Sequence, residues 1–167
     1  MDVDDRDQAT RRVWDDRPGG GGRAVATSDD PDRARRTIEE LNLERVRECG
    51  VGKYGWPYPA QALRRYRDFL WVCWHRRDGA EPLAAISLLA DQVWHCHIED
   101  RDQYARDCQA IFGRGKILAH SESIGRDVDE YAHEEVLKLY DLSNVPRPAL
   151  DDRRANCVWA VVTRPSV

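Results

Sequence analysis

The sequence lacks a long apolar run, a basic stripe and a leader-like N-terminus, and each absence excludes a class of protein. No stretch approaches the roughly 20 apolar residues that span a bilayer, so no membrane role is expected. Arg and Asp are mixed along the whole chain and the formal net charge is −4, which disfavours a nucleic-acid partner. The first residues, MDVDDRDQ, are too polar for a signal peptide, so a cytoplasmic location is expected.

Paired cysteines are also lacking. The five cysteines are an odd number, and no two of them form a CxxC element. This set predicts free thiols in a reducing compartment. In contrast, large aromatic side chains are present, because six Trp and six Tyr accompany 34% charged residues. A chain of 167 residues with such side chains can bury a core, and its length fits one domain.

The apolar spacing predicts an all-α fold, a compact bundle of about five helices in residues 31–150. Residues 1–30 hold few aliphatic side chains and include the run GGGG, so they are predicted to be a disordered N-terminal tail. Residues 116–125 are predicted to be a linker before the fifth helix. Residues 151–167 are predicted to be an extended C-terminal segment, because CVWAVV is β-branched but no partner strand is predicted.

Caps and breaks set the predicted limits of the helices. Asp30 caps the first helix, which is predicted to end before Gly50 and to be followed by a turn in VGKYGWPYP. The second helix has apolar residues at intervals of three, four and three, which are Leu63, Tyr66, Leu70 and Cys73. Ser87 and Asp100 are the predicted caps of the third and fourth helices, which meet beside the motif WHCH.

Three of the five histidines, His95, His97 and His120, lie close together in the sequence around this motif. Imidazole is a common protein ligand for transition metals, so the clustering predicts a site for zinc, copper or iron. One geometric condition applies. Residues two apart on a helix point about 200° away from each other, so His95 and His97 can bind one ion only if the helix ends between them.

Three further side chains are candidates for a catalytic role beside the histidines. Asp91 lies one helical turn before His95, where its carboxylate can orient the imidazole or bind the metal directly. Tyr104 and Cys108 are four residues apart on the predicted inner face of the fourth helix. They are candidates for a proton donor and for a thiolate.

Each of these residues also has a structural interpretation. A histidine beside Trp at the end of a buried helix is more often a hydrogen-bonded core residue than a metal ligand. Tyr104 is more often a core residue, and Cys108 is more often a small buried hydrophobe. Asp91 is also explained as a carboxylate hydrogen-bonded near a helix end.

The run DQVWHCHIEDRDQYARDCQAIFG, followed by a histidine, resembles the glycine-rich-domain-containing protein-like family. The matching positions are Asp91, Trp94, His95, His97, Ile98, Tyr104, Asp107, Cys108, Phe112, Gly113 and His120. The resemblance extends through GWPYPAQALRRYRDFL and VLKLYD and covers roughly residues 38–148. Two departures are HSES where the family has His-x-Pro, and a segment after Pro148 without a family counterpart. The resemblance implies a helical fold and a metal or catalytic role for the motif, but no particular reaction.

Three functions are open on the sequence alone. The first is a small metal-dependent enzyme for a small-molecule or peptide substrate, with the three histidines as ligands. The Arg- and Asp-rich composition is typical of high-GC bacteria and associates this enzyme with specialised metabolism. The second is a non-enzymatic interaction module in which the motif is structural and exposed aromatics bind a partner, with Trp14, Trp56, Trp71 and Trp74 as candidates. The third is a metal-free enzyme that uses Cys108 as nucleophile and a histidine as base.

Overall fold

The computed structural model describes residues 29–79, 83–85, 87–122, 130–152 and 157–163. Most of the predicted N-terminal tail, residues 1–28, lies outside these described residues. The six α-helices within them are α1 Pro31–Glu39, α2 Glu44–Tyr54, α3 Pro59–His75, α4 Leu88–Glu99, α5 Arg101–Phe112 and α6 Glu130–Leu142. The strands are β1 Leu83–Ala85, β2 Lys116–Glu122 and β3 Cys157–Thr163. The compact helical bundle predicted from the sequence is confirmed.

The region predicted to be a first helix contains two helices. Asp30 caps α1 as predicted, because its side chain accepts hydrogen bonds from the backbone N–H groups of Asp32 and Arg33. The chain then leaves the helix, which buries Leu41 and Leu43 in the connection to α2. Because the helix ends here, both apolar side chains can pack into the core from one short segment.

The predicted end of this region before Gly50 was wrong. Helix α2 continues through Gly50 to Tyr54 and ends at Gly55, which has a φ of 64°. Gly50 is needed for packing, because a Cβ atom there would lie 2.0 Å from the ring of Trp56. The glycine therefore allows the ring of Trp56, which follows the helix, to fold back onto α2, where the ring is buried.

Of the predicted extended segment 151–167, residues 157–163 are extended as predicted, residues 151–152 belong to a 3₁₀ turn, and the others lie outside the described residues. The extended part does not lack a partner. Strand β3 lies in the centre of a three-stranded sheet and pairs in antiparallel fashion with β1 and β2. Trp159 is the register partner of Leu83 on one side and of His120 on the other. Residues 116–122 of the predicted linker are therefore strand β2, whereas residues 123–125 lie outside the described residues. The sheet brings His120 next to the helices.

The N-terminus of α4 is fixed by two side chains. Ser87 caps the helix as predicted and accepts a hydrogen bond from the backbone N–H of Ala90 at 3.0 Å. Asp152, which follows α6 in a short 3₁₀ turn, accepts from the Ser87 hydroxyl at 2.7 Å and from the backbone N–H of Leu89 at 2.8 Å. Two of the free N–H groups at this helix end are thus satisfied by residues about 65 positions apart in the sequence.

We expect the substitution Asp152→Ala to lower the free energy of unfolding by about 1–2 kcal/mol, because it removes a helix cap and leaves the buried Ser87 hydroxyl without its acceptor. The neighbouring Asp151 is exposed and provides the matched control Asp151→Ala, which should change stability by less than about 0.5 kcal/mol. Urea unfolding of both variants measures the difference. Equal stabilities would contradict the capping role of Asp152.

Candidate metal centre

Two elements bring together the side chains of the candidate metal centre. Asp91 and His95 are four residues apart on α4 and share one face of that helix. His120 comes from β2, which lies against the core beside them. The Asp91 carboxylate lies between the two imidazoles, with one oxygen 3.2 Å from Nε2 of His120 and the other 3.6 Å from Nδ1 of His95. The rings of His95 and His120 are 4.5 Å apart between centroids.

The spacing of these atoms fits a metal ion. Two ligand atoms that each lie about 2.1 Å from a tetrahedral ion are about 3.4 Å apart. The two contacts of Asp91, at 3.2 Å from one carboxylate oxygen and 3.6 Å from the other, lie on either side of that separation, and the shorter one is a hydrogen bond in the absence of an ion. One ligand atom from each residue lies within 4.8 Å of the other two, so Asp91, His95 and His120 form a group able to hold a metal ion.

The group is shielded but accessible from one side. The side chains of Asp91 and His120 are 12% and 10% exposed, whereas that of His95 is 31% exposed. The indole of Trp94 packs edge-on against His120, with 4.5 Å between the ring centroids. An ion at this position would therefore be shielded from water by Trp94 on one side and accessible to solvent on the side of His95.

Tyr104 holds β2 in place behind His120. Its buried hydroxyl donates a hydrogen bond to the backbone carbonyl of Leu118 and accepts one from the indole N–H of Trp94 at 2.7 Å. Leu118 and His120 are two residues apart, so they lie on the same face of the strand. Burial raises the pKa of the Tyr104 phenol well above its usual value. The predicted role of Tyr104 as a proton donor is thus corrected to that of a positioning residue.

His97 is not part of the group, which corrects its assignment as a metal ligand. Helix α4 continues unbroken to Glu99, so His97 points away from His95, as the geometric condition requires. Its imidazole is buried, with Nδ1 2.9 Å from the hydroxyl of Tyr66 and Nε2 3.0 Å from a carboxylate oxygen of Asp107. Both ring nitrogens are therefore engaged in a hydrogen-bonded chain across α3, α4 and α5.

Cys108 is placed where a nucleophile cannot act. Its side chain is buried in the main core, and that burial raises the pKa of the thiol to about 12. A reactive cysteine needs the opposite shift and access to a substrate. The assignment of Cys108 as a nucleophile or thiolate ligand is corrected to that of a core residue.

The tryptophans predicted to form an exposed interaction surface are buried or half-buried wherever the structure describes them. Trp56 and Trp74 are buried, and Trp71 is half-buried and donates a hydrogen bond to the backbone carbonyl of Ser143 at 3.0 Å. Trp14 lies outside the described residues. The prediction of exposed tryptophans is therefore wrong for Trp56 and Trp74.

The sequence interpretation missed the pairing of His97 with Tyr66 and Asp107. The contact with Asp107 could have been suspected, because Asp107 lies ten residues after His97 on the helix that begins at the cap Asp100. Nothing near these residues in the sequence indicated the other partner, Tyr66, which lies on α3. The sequence also left the role of Asp91 open. The structure places its carboxylate between two imidazoles rather than beside one.

Comparisons with family models, with curated proteins and with solved structures find no match to this chain. Within the part of the chain that the structure describes, no helix is long and apolar enough to span a membrane.

Proposed function

We propose that this protein is a small metal-dependent enzyme, with Asp91, His95 and His120 as the metal ligands. The observation that carries the proposal is the convergence of one carboxylate and two imidazoles, each facing the others within 4.8 Å. Two histidines and one carboxylate are the ligand set of many catalytic zinc sites and of non-haem iron(II) sites. Zinc and iron(II) are therefore the proposed metals, in preference to copper.

Three protein ligands leave at least one coordination position for water or substrate. Structural zinc sites normally close this position with a fourth side chain. The candidate group found among the described residues has three members, and its most exposed member, His95, is 31% exposed. The metal would supply Lewis-acid activation of a bound water or of a small-molecule or peptide substrate. The chain itself would orient the ligands through the Tyr104 hydroxyl behind β2 and the cap on α4.

We also propose a relationship with the glycine-rich-domain-containing protein-like family. This proposal is supported by the positions of the residues that carry the resemblance, because they lie in or directly behind the candidate metal centre. Asp91, His95 and His120 form the candidate centre, and Trp94 with Tyr104 positions the strand behind it. A motif with these roles is better explained by a functional site than by packing alone.

Cobalt(II) substitution tests whether the centre is both real and open. Protein prepared without a His tag should bind one cobalt(II) ion and show visible absorption bands typical of mixed nitrogen and oxygen ligation. Added azide should shift these bands, because an exogenous anion can take the open position.

The matched control for this experiment is His75→Ala, which removes an exposed histidine at the end of α3. This variant should retain the cobalt spectrum, whereas His120→Ala should lose it. A cobalt spectrum that does not respond to azide would indicate a closed structural site and contradict the enzymatic proposal. Absence of cobalt binding would contradict the metal centre itself.

A further inference from the structure

Gln92 is a polar residue of helix α4 that borders the candidate metal centre but is not one of its three members. It directly follows Asp91 and lies three residues before His95, so its side chain is a neighbour of His95 on the helix surface. Gln92 is half-buried, and His95 is the most exposed member of the group. Gln92 therefore borders the side of the centre that solvent can reach.

A hydrogen bond from Trp56 sets the orientation of the Gln92 carboxamide. The indole N–H of Trp56 donates to Oε1 of Gln92 at 2.9 Å. Because an indole N–H can only donate, the oxygen of the carboxamide, and not its nitrogen, must face Trp56. The ring of Trp56 is itself buried against Gly50 and stacks on Tyr54, with 6.2 Å between the ring centroids. A well-packed side chain thus holds the carboxamide in one orientation.

The NH2 group of Gln92 remains available as a hydrogen-bond donor. A carboxamide carries two N–H donors besides its oxygen, and the bond from Trp56 uses only the oxygen. No acceptor for this NH2 group is found among the described residues. Since Gln92 is half-buried rather than enclosed, a ligand that enters from solvent can reach the donor.

We propose that Gln92 is a specificity-determining residue that recognises a carboxylate of the substrate, an inference that rests on the proposed function. One carboxylate oxygen would take the open coordination position beside His95, and the other would accept a hydrogen bond from the NH2 group of Gln92. A ligand that presents an N–H donor at this point is disfavoured, because two donors would face each other. The bond from Trp56 orients the carboxamide before the ligand arrives, which lowers the entropy cost of binding.

Two small ligands test this role in the full-length protein loaded with cobalt(II). Acetate offers a second oxygen to the NH2 group, whereas imidazole binds a metal through one nitrogen and presents only an N–H donor on its far side. Each is titrated while the visible absorption of cobalt is recorded. Gln92→Met keeps the length of the side chain and removes the NH2 group. It should bind acetate about tenfold more weakly than wild type and imidazole within about twofold of wild type.

Gln92→Glu separates ligand recognition from the structural bond to Trp56. Its carboxylate can still accept from the indole N–H, but an oxygen that repels acetate replaces the NH2 group. This variant should lose more acetate affinity than Gln92→Met and should not lose imidazole affinity. The control Gln61→Glu adds the same charge at an exposed position of α3 and should bind both ligands as wild type does. Circular dichroism checks that each variant is folded.

Two results would overturn the inference. Equal weakening of acetate and imidazole binding in both Gln92 variants would show that Gln92 supports the metal ligands and does not recognise a carboxylate. Unchanged acetate binding in both variants would show that the NH2 group takes no part. In either case a wild-type cobalt spectrum that responds to azide leaves the proposed function standing. Absence of cobalt binding by wild type would contradict the proposed function, and this inference with it.

Discussion

Replacing His97 with leucine is expected to lower the free energy of unfolding by about 3 kcal/mol. The substitution removes both hydrogen bonds of the imidazole and leaves the hydroxyl of Tyr66, a fully buried residue, without a partner. A buried orphan hydroxyl costs about 1–3 kcal/mol, and loss of the bond to the Asp107 carboxylate costs a similar amount. For a chain of this size the melting temperature should fall by roughly 6–12 °C.

A double variant separates the contributions to this loss. In His97→Leu/Tyr66→Phe the orphan hydroxyl is absent, so about half of the lost stability should return. The other half, which comes from the lost hydrogen bond to Asp107, should remain, and the Asp107 carboxylate adds no further penalty because its side chain is 19% exposed and water can reach it. Chemical unfolding of the two variants and of Tyr66→Phe alone measures the coupling between the side chains. Additive effects would show that the hydrogen-bonded chain is not a unit.

The same substitution distinguishes two models of the metal centre. Folded His97→Leu protein should bind zinc with an affinity within about threefold of wild type, because His97 lies outside the proposed ligand set. If His97 were a ligand, as the sequence predicted, zinc affinity would fall by two orders of magnitude or more.

Removing any one member of the ligand group is expected to weaken zinc binding by at least about 100-fold. Changes in residues that only support a ligand typically cost 10–100-fold in metal affinity, and loss of a ligand should exceed this. The substitutions are Asp91→Asn, His95→Ala and His120→Ala, with affinities measured by competition against a chelator. These side chains are between 10% and 31% exposed, so their replacement should change stability by less than the His97 substitution.

Asp91→Asn is the most informative of these three substitutions. It keeps the size of the side chain and removes the charge that lies between the two imidazoles. If Asp91 only orients the histidines, the loss should stay within about 10–100-fold. A larger loss indicates direct ligation. The control His75→Ala should bind zinc as wild type does, and an equal loss in this control would show that binding occurs at surface histidines.

Local features of the fold could be predicted because their causes lie within a few residues. Asp30, Ser87 and Asp100 were identified as caps, and the structure shows each side chain accepting a backbone hydrogen bond at the start of its helix. The apolar spacing of α3 likewise predicted its buried face. Both kinds of signal depend on contacts one or two turns away.

The sheet could not be predicted in the same way. Strand β3 finds its partners at Leu83–Ala85 and Lys116–Glu122, both far away in the sequence. The three-residue length of β1 is too short to show alternation. Because His120 lies on a strand, its approach to Asp91 was also a nonlocal property.

The candidate centre could be predicted only in part, because some of its contacts are local in the sequence and others are not. The pairing of Asp91 with His95 follows from helical spacing, and the rule that His95 and His97 diverge on a continuous helix also proved correct. What the sequence did not reveal was whether the helix ends between these histidines. The cap at Asp100 allows α4 to continue to Glu99, so the helix excludes His97 from the centre.

The most direct test of the central claim is the position of the ion in a crystal structure of the zinc-loaded protein, located by anomalous scattering at the zinc edge. One ion is expected about 2.0–2.2 Å from Nδ1 of His95, from Nε2 of His120 and from a carboxylate oxygen of Asp91, with a nonprotein ligand completing the shell. The Tyr66 and Asp107 hydrogen bonds to His97 should remain as they are. Zinc located elsewhere, or an Asp91, His95 and His120 group without zinc at saturating concentration, would contradict the account.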